Sequence, residues 1–530
     1  MKFAREERRW VLLILFAIAT CSAQTNSPPQ SSDPVAATTL RSTTRVVVLD
    51  VVVTDANGRP VEGLQKSDFT LLEDGTQQAV SGFEAHGSSH PTDTPEAPAQ
   101  NILLLDEVNT RFTNLAFARK CVHRLIEQHG AQLEQPTSLL VLVDHGLIVL
   151  QEPTRDGNAL LAAMDRHHPA LPTQLMLAGA EHDTQRVLWS LTALRKIAQA
   201  GAGSNVRRNL LWISGGFPAT SPESTNDSGR TAMYDAIRRI SVELLQARTT
   251  LYTIDPSATE TVVSGVDTYG QALDHIGPSS YNPGGSVNAA AGSYVQSLSS
   301  HGSRLFPDMI LQRFAQETGG RSFWGRNDLD AELAAARTES ARYYTISYSP
   351  SDRNFDGRFR TIVVKLSRPG LQVRTRVGYF AVPYPPQPTP QELVSQLEDA
   401  LANPVHYTGI HLQAVGDVAT AAPGSRRKVV LRIDPRDLNF KPQPDGTRQC
   451  TLVTATAVFS KGRVPLLIRE HAFTATISEK QAMSLSKDPV FVRFDLPPLD
   501  GVSSLRVAVR DESTGTMGTA DVASSATLVH

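Results

Sequence analysis

Cysteine is nearly missing from this chain, with three in 530 residues. With export-signal cleavage after Ala23, only Cys121 and Cys450 remain. Two cysteines so far apart make no disulfide scaffold, and two separate buried thiols are expected rather than a bridge between domains. There is no CxxC pair and no His/Cys cluster with zinc spacing. Charge of one sign is also lacking: 51 Lys and Arg stand against 53 Asp and Glu. No global basic field is there to gather nucleic acid. Arg207-Arg208 and Arg426-Arg427-Lys428 are too short to be basic patches and are expected to be solvated loop charges. Walker and dinucleotide fingerprints are missing too. A long apolar run occurs once, at Trp10–Thr20. As a helix it would reach about 16 Å, short of the roughly 30 Å of a bilayer core. With basic MKFAREERR before it and Cys21-Ser22-Ala23 after it, residues 1–23 are expected to be a signal peptide. That places the protein in the periplasm or outside the cell, with no other membrane span. An uncleaved anchor and a lipid on Cys21 are the alternatives.

What is present is apolar content of 40%, enough for packed domains. The length suggests three or four of them at about 150 residues each. Residues 24–43 are a Ser/Pro/Thr-rich, disordered-type spacer. Residues 44–86 form a small β module, with turns at Asn57-Gly58 and Asp74-Gly75. A linker (87–100) precedes an α/β domain (101–341), in which apolar strands alternate with helical patterns, as in parallel βαβ units. Within it, 256–303 is a Gly/Ser-rich insertion expected to be disordered or a binding excursion. A three-stranded β module (342–383), a linker helix (384–404) and a strand-rich region (405–530) follow. The last is expected to be a β-sandwich of immunoglobulin-like layout. The two β modules are each too small to bury a core alone. They are expected to pack together, with Val47, Val51 and Val53 against Ile362, Val364 and Val373.

The most informative segment is Asn101–Thr110, NILLLDEVNT. An apolar run that stops at Asp reads as a central parallel strand. Ligands of open α/β sheets bind outside the carboxyl ends of such strands. The loop from Asp106 to Thr110 is therefore the candidate site.

These residues carry a resemblance. VVVTDANGRPVEGLQKSDFTLLEDG, NILLLDEVNT, RRNLLWISGGFP, TLYTIDP and the stretch from YYTISYSP to VGYFAVP resemble the secreted VWFA-related proteins described in acidobacteria, built on a von Willebrand factor A domain. They span roughly Thr44 to Pro383. The resemblance implies a Rossmann-like VWA α/β domain with flanking β modules. It also implies a metal-ion-dependent adhesion site, reading Asp-x-Ser-x-Ser/Thr in its first loop, with a second-loop threonine and a later aspartate. Those hard oxygen ligands suit Mg²⁺ or Ca²⁺. Here Asp106 and Thr110 match, Val108 replaces the first serine, and Gly215 replaces the aspartate. Thr184 and Ser190 are weak second-loop candidates. The site is thus degenerate: either no metal is bound, or Mg²⁺ or Ca²⁺ is held by Asp106 and Thr110. The structural alternative has Asp106 cap its loop through backbone N–H groups and Thr110 cap the next helix.

Ser214-Gly215-Gly216 lacks the G-x-S-x-G frame, since Trp212 holds the first glycine position. The glycines are expected to let the chain turn near the opposing loop. His145, beside Asp144, is expected to bond nearby backbone, and His167-His168 has no partner ligand at metal spacing. The leading expectation is an exported, non-enzymatic interaction protein that meets an unidentified protein partner at the cell envelope. A metal-dependent ligand-binding protein and an extracytoplasmic enzyme are the alternatives.

Overall fold

The computed structural model describes residues 45–87, 99–129, 131–169, 180–216, 227–256, 312, 314–323, 329–383, 388–416, 426–459, 465–479, 481, 489–497 and 504–524. The expected signal peptide (1–23), the expected spacer (24–43) and, beyond Pro256, the Gly/Ser-rich insertion lie outside these residues.

The first strands are β1 (Val47–Thr54), β2 (Phe69–Glu73), β3 (Thr76–Gln78) and β4 (Val80–His86). Asp74 and Gly75 both have positive φ, 47° and 79°, which closes β2 onto β3 in a two-residue hairpin of the I′ kind.

The α/β domain contains β5 (Gln100–Asp106), α1 (Phe112–His129), β6 (Gln132–Val143), β7 (Gly146–Asp156), α2 (Gly157–Arg166) and α3 (Ala180–Gly201). It continues with β8 (Arg208–Ile213), α4 (Asp227–Gln246), β9 (Thr249–Ile254), β10 (Ser322–Phe323) and α5 (Leu329–Ala341). Its sheet runs β10-β9-β8-β5-β6-β7. Every neighbouring pair is parallel except β6–β7, which is antiparallel. Leu147–Gln151 therefore belongs to the return arm of a hairpin. The turn needs Gly146, whose φ is +127°. β5 is buried on both faces: Ile102 and Leu104 join a core shared with α3 and α4, while Leu103 and Leu105 join one shared with α1 and α5. This two-sided burial explains its continuous apolar run.

The chain then returns to the first strands through β11 (Tyr343–Tyr348), β12 (Phe359–Leu366), β13 (Gln372–Arg374) and β14 (Gly378–Phe380). Two four-stranded sheets result, β13-β1-β11-β4 and β14-β12-β2-β3. Residues 44–86 and 342–383, expected as two neighbouring modules, are one interleaved β structure. Val53 pairs directly with Val373, and Val47, Val51, Ile362 and Val364 share one core. Under that core the Glu73 carboxylate accepts from Tyr348 Oη (2.5 Å), Tyr379 Oη (3.1 Å) and Arg360 Nη1 (2.9 Å).

The expected linker helix is α6 (Pro390–Ala402), started by a capping box between Thr389 and Glu392. It is more than a spacer: Leu397, Ala400 and Leu401 are buried against Ala200 of α3 and Ala455, Ala457 and Ala508. The C-terminal strands are β15 (Leu412–Gly416), β16 (Arg427–Ile433), β17 (Lys441–Pro442), β18 (Thr447–Phe459), β19 (Pro465–Ser478), β20 (Val490–Leu496), β21 (Ser504–Asp511) and β22 (Met517–Ser524). One set is β15-β16-β20 and another holds β18, β21 and β22; the parallel pair β15–β22 joins them. Leu431, Ile433, Leu452, Val507 and Val509 fill the core. Cys121 is buried in the α/β domain and Cys450 in this C-terminal core, and the two are not bridged to each other. Burial, with Asp511 beside it, pushes the Cys450 thiol up to about 12.

One charge cluster fastens the interleaved β structure to the α/β domain. Asp50 of β1 receives Arg248 Nη2 at 2.9 Å and Thr345 Oγ1 at 3.1 Å, and Arg207 Nε lies 3.6 Å away. The Arg207 guanidinium sits 4.2 Å above the Tyr343 ring. Arg207 and Arg208 are both buried, which corrects their reading as solvated loop charges. Burial alone would raise the Asp50 pKa, but Arg207 and Arg248 hold it below the usual carboxylate range. Removing one partner of a buried ion cluster leaves the others desolvated and unpaired. Asp50→Ala should therefore lower the unfolding free energy by about 3 kcal/mol in denaturant titration. A depressed carboxyl pKa stabilises the fold above the unfolded pKa, and that stability is lost as pH falls through the folded value. The wild type should thus lose more stability than Asp50→Ala on acidification below the usual carboxylate range.

Candidate functional site

The strand order of the α/β sheet reverses between β5 and β8, and the crevice at their carboxyl ends is where such sheets place ligands. Asp106 ends β5, and Ser214 follows β8 directly.

The Asp106 carboxylate is fully buried and engaged on both oxygens. Oδ1 accepts from the backbone N–H groups of Val108 (3.0 Å) and Asn109 (2.9 Å), the loop-capping arrangement that an Asx turn provides. Oδ2 accepts from Asn109 Nδ2 (2.8 Å), Ser214 Oγ (2.8 Å) and Trp212 Nε1 (3.1 Å). Burial raises the Asp106 pKa, and hydrogen bonds from Asn109, Ser214 and Trp212 oppose that rise.

Thr110 is brought to the same place. Its Oγ1 accepts from Gly215 N–H at 3.1 Å, so it ties the β5 loop to the β8 loop. A Cβ at Gly215 would lie 2.7 Å from the Asn109 carbonyl oxygen. The glycine that stands where the resemblance implies an aspartate is thus required by the close approach of two backbones. Ser190 of α3 also joins the site, accepting from Asn109 Nδ2 at 2.9 Å and donating to Arg186 O at 3.0 Å. Thr184 lies on α3 at an exposed position. Val108 is buried in the core between the sheet and α3.

The fit to a divalent cation is poor in this arrangement. A cation at Asp106 needs free carboxylate lone pairs, and both oxygens already receive five donors. The Trp212 indole points its N–H at the carboxylate, so an electropositive edge faces the oxygen that a metal would take. Ser214 is buried, its hydroxyl donates to Asp106, and its oxygen accepts from Gly216 N–H at 3.2 Å. It is not presented to solvent as a nucleophile would be.

Sequence reasoning missed two features nearby. Trp212 was noted only for breaking a serine-hydrolase motif. The other is an ion pair between Glu107 and His167, with Nε2 to Oε1 at 2.8 Å and the carboxylate buried. Burial raises the Glu107 pKa, against the hydrogen bond and charge of His167. The 60 residues between the two conceal this pair in a linear reading. His145 Nδ1 contacts Asp144 Oδ1 at 2.8 Å, so it is paired with that carboxylate rather than with backbone.

No family model matches the chain, and no curated protein matches it. Among solved structures it is similar to the VWA domain of SpRpn10, at 14% identity over 30% of this chain and 75% of that one, with a TM-score of 0.17. It is also similar to the ArnB paralog VWA2 from Sulfolobus acidocaldarius, at 9% identity over 90% of this chain and 74% of that one, with a TM-score of 0.22. At these values the likeness supports no argument about activity, ligand or partner, and the strand order rests on the hydrogen bonding described above.

The donor set around Asp106 has a measurable consequence. Ser214→Ala removes one donor to a buried carboxylate with little change of volume. It should lower stability by about 1–2 kcal/mol, read as a fall in denaturant midpoint at constant slope. An unchanged midpoint would show that the hydrogen bond is not formed in solution.

Proposed function

We propose that this chain is an exported, non-enzymatic interaction protein. Its VWA-like α/β domain presents its carboxyl-end loops to a protein partner, and an immunoglobulin-like C-terminal unit is joined to it. The observation that carries this reading is the five-donor coordination of Asp106. Protein groups occupy the ligand position of the crevice, and what is left to recognise a partner is the surface around it. Phe112, the first residue of α1 after the Asp106–Thr110 loop, is 54% exposed. An exposed aromatic at a loop rim suits a protein contact better than a small-molecule site. The export signal in the sequence supports a periplasmic or extracellular setting. Among the described residues no helix is long and apolar enough to cross a membrane.

A metal-dependent version of this reading keeps Asp106 and Thr110 as ligands, and needs the indole and serine donors to swing away. An extracytoplasmic enzyme is the third reading; the buried Glu107–His167 pair is the acid–base feature that favours it. Thermal melting separates the first two readings. Melting in millimolar Mg²⁺, Mn²⁺ or Ca²⁺ should match melting in EDTA. A metal-dependent rise that Asp106→Asn abolishes would overturn the metal-free reading, because a ligand that binds only the folded state must raise the melting temperature. Phe112→Ser should leave the melting temperature unchanged while weakening partner capture from the native envelope.

A further inference from the structure

Away from the Asp106 crevice, a cleft of about 680 Å³ opens where β7 of the α/β domain meets the C-terminal strands. Its lining includes Glu152, His406, Leu412, Arg432, Ile433 and Pro489. Its size and its position between two domains are usual marks of a small-molecule site. Its lining residues are mainly polar and charged, with Leu412 and Pro489 among the apolar members.

The charges in this cleft cancel in pairs, with two exceptions. Asp521 holds Arg506 through two contacts, at 2.6 and 3.1 Å. Asp434 holds Arg436 in the same way, at 3.0 and 2.5 Å. His411 Nδ1 lies 2.9 Å from Asp437 Oδ2. Among the described residues, Glu152 has no carboxylate-to-cation contact of that kind; half its side chain is exposed, and His406 Nε2 lies 3.5 Å away. Burial raises the Glu152 pKa against the charge of Arg506, which Asp521 already holds. His406 does not neutralise Glu152 near pH 7. Burial lowers the histidine pKa and Arg506 lowers it further, against Asp521. Its ring also meets Thr519 Oγ1 at 3.2 Å and Asp521 Oδ2 at 3.6 Å. The second exception is Arg432, exposed on β16, which donates to the neutral Gln413 Oε1 at 3.2 Å. Among the described residues no ion pair joins Glu152 to Arg432. One anion and one cation thus line the same cleft beside Leu412 and Pro489.

We propose that this cleft binds a small zwitterion of the free-dipeptide class. The ammonium group would meet Glu152, the carboxylate would meet the Arg432 guanidinium, and an apolar side chain would lie on Leu412 and Pro489, both partly exposed. A planar guanidinium matches a carboxylate in two parallel hydrogen bonds, which favours that end group over a neutral one. This site is independent of the partner-binding reading above and needs no part of the Asp106 crevice.

Glycyl-leucine is a suitable probe, with its N-acetylated and its C-amidated forms as controls. The full chain should show a saturable rise in melting temperature with the free dipeptide up to about 10 mM, and little rise with either blocked form. Glu152→Gln and Arg432→Gln, both at exposed or half-exposed positions, should each weaken the apparent affinity about tenfold, the loss of one charge-assisted contact. Equilibrium dialysis with labelled dipeptide gives the same comparison without heating. The proposal is overturned if no rise or binding occurs, if the blocked forms act as well as the free one, or if both variants bind like the wild type.

Discussion

A single carboxylate decides how the two N-terminal units of this molecule are joined. Asp50 leaves β1 and is gripped by Arg207, at the start of β8, and by Arg248, at the start of β9. Both arginines stand at the amino ends of parallel strands. The interleaved β structure is thereby held at the amino end of the α/β sheet. The Asp106 loop lies at the other end of a seven-residue strand, roughly 20 Å away at 3.3 Å per residue. Fastening at one end leaves the functional end of the sheet uncovered by this unit. The attachment also explains why Arg207 is buried and Arg248 half-buried in a chain with no charge excess: both serve one anion from another unit.

The same economy governs the candidate site. A buried carboxylate must be matched by donors or a cation, since an unpaired buried charge is too costly to keep. This chain matches Asp106 with backbone, amide, hydroxyl and indole donors. Val108 turns its side chain into the core, where a serine hydroxyl would be set among apolar neighbours. Gly215 lets two loops touch where an aspartate side chain would hold them apart. The departures from the adhesion-site pattern form one consistent set.

The legibility of the sequence followed the range of the interactions. β5 could be read because burial on both faces leaves an unbroken apolar run, and the Asp74-Gly75 hairpin because the turn itself demands those residues. Asp106 and Thr110 were placed at one locus by spacing alone. The rest depended on contacts that spacing does not encode. Trp212 donates to the neighbouring strand, to a residue 106 positions earlier. His167 finds Glu107 only when α2 packs against β6, β7 and α1. Arg207 looked like a loop charge because its partners, Asp50 and Tyr343, lie more than a hundred residues away on either side. The pairing of the flanking β segments was legible as a shortage, each being too small to stand alone. That they would exchange strands was not.

That exchange bears on how the chain acquires its structure. β1 bonds to β11 with about 300 residues between partners, and β13 comes later still. Contacts so distant close last, after nearer ones have formed. As the chain emerges from its N-terminus, β1, β2 and β4 appear first and wait, edges open, until the whole α/β domain and residues near 374 have followed. During that interval Val47, Leu49 and Val51 have no partner to cover them. Such exposed strand edges invite pairing with other chains. β1 is thus made before the α/β domain and finished only after it, so its open edge is where a partner that suppresses wrong pairing would have to act.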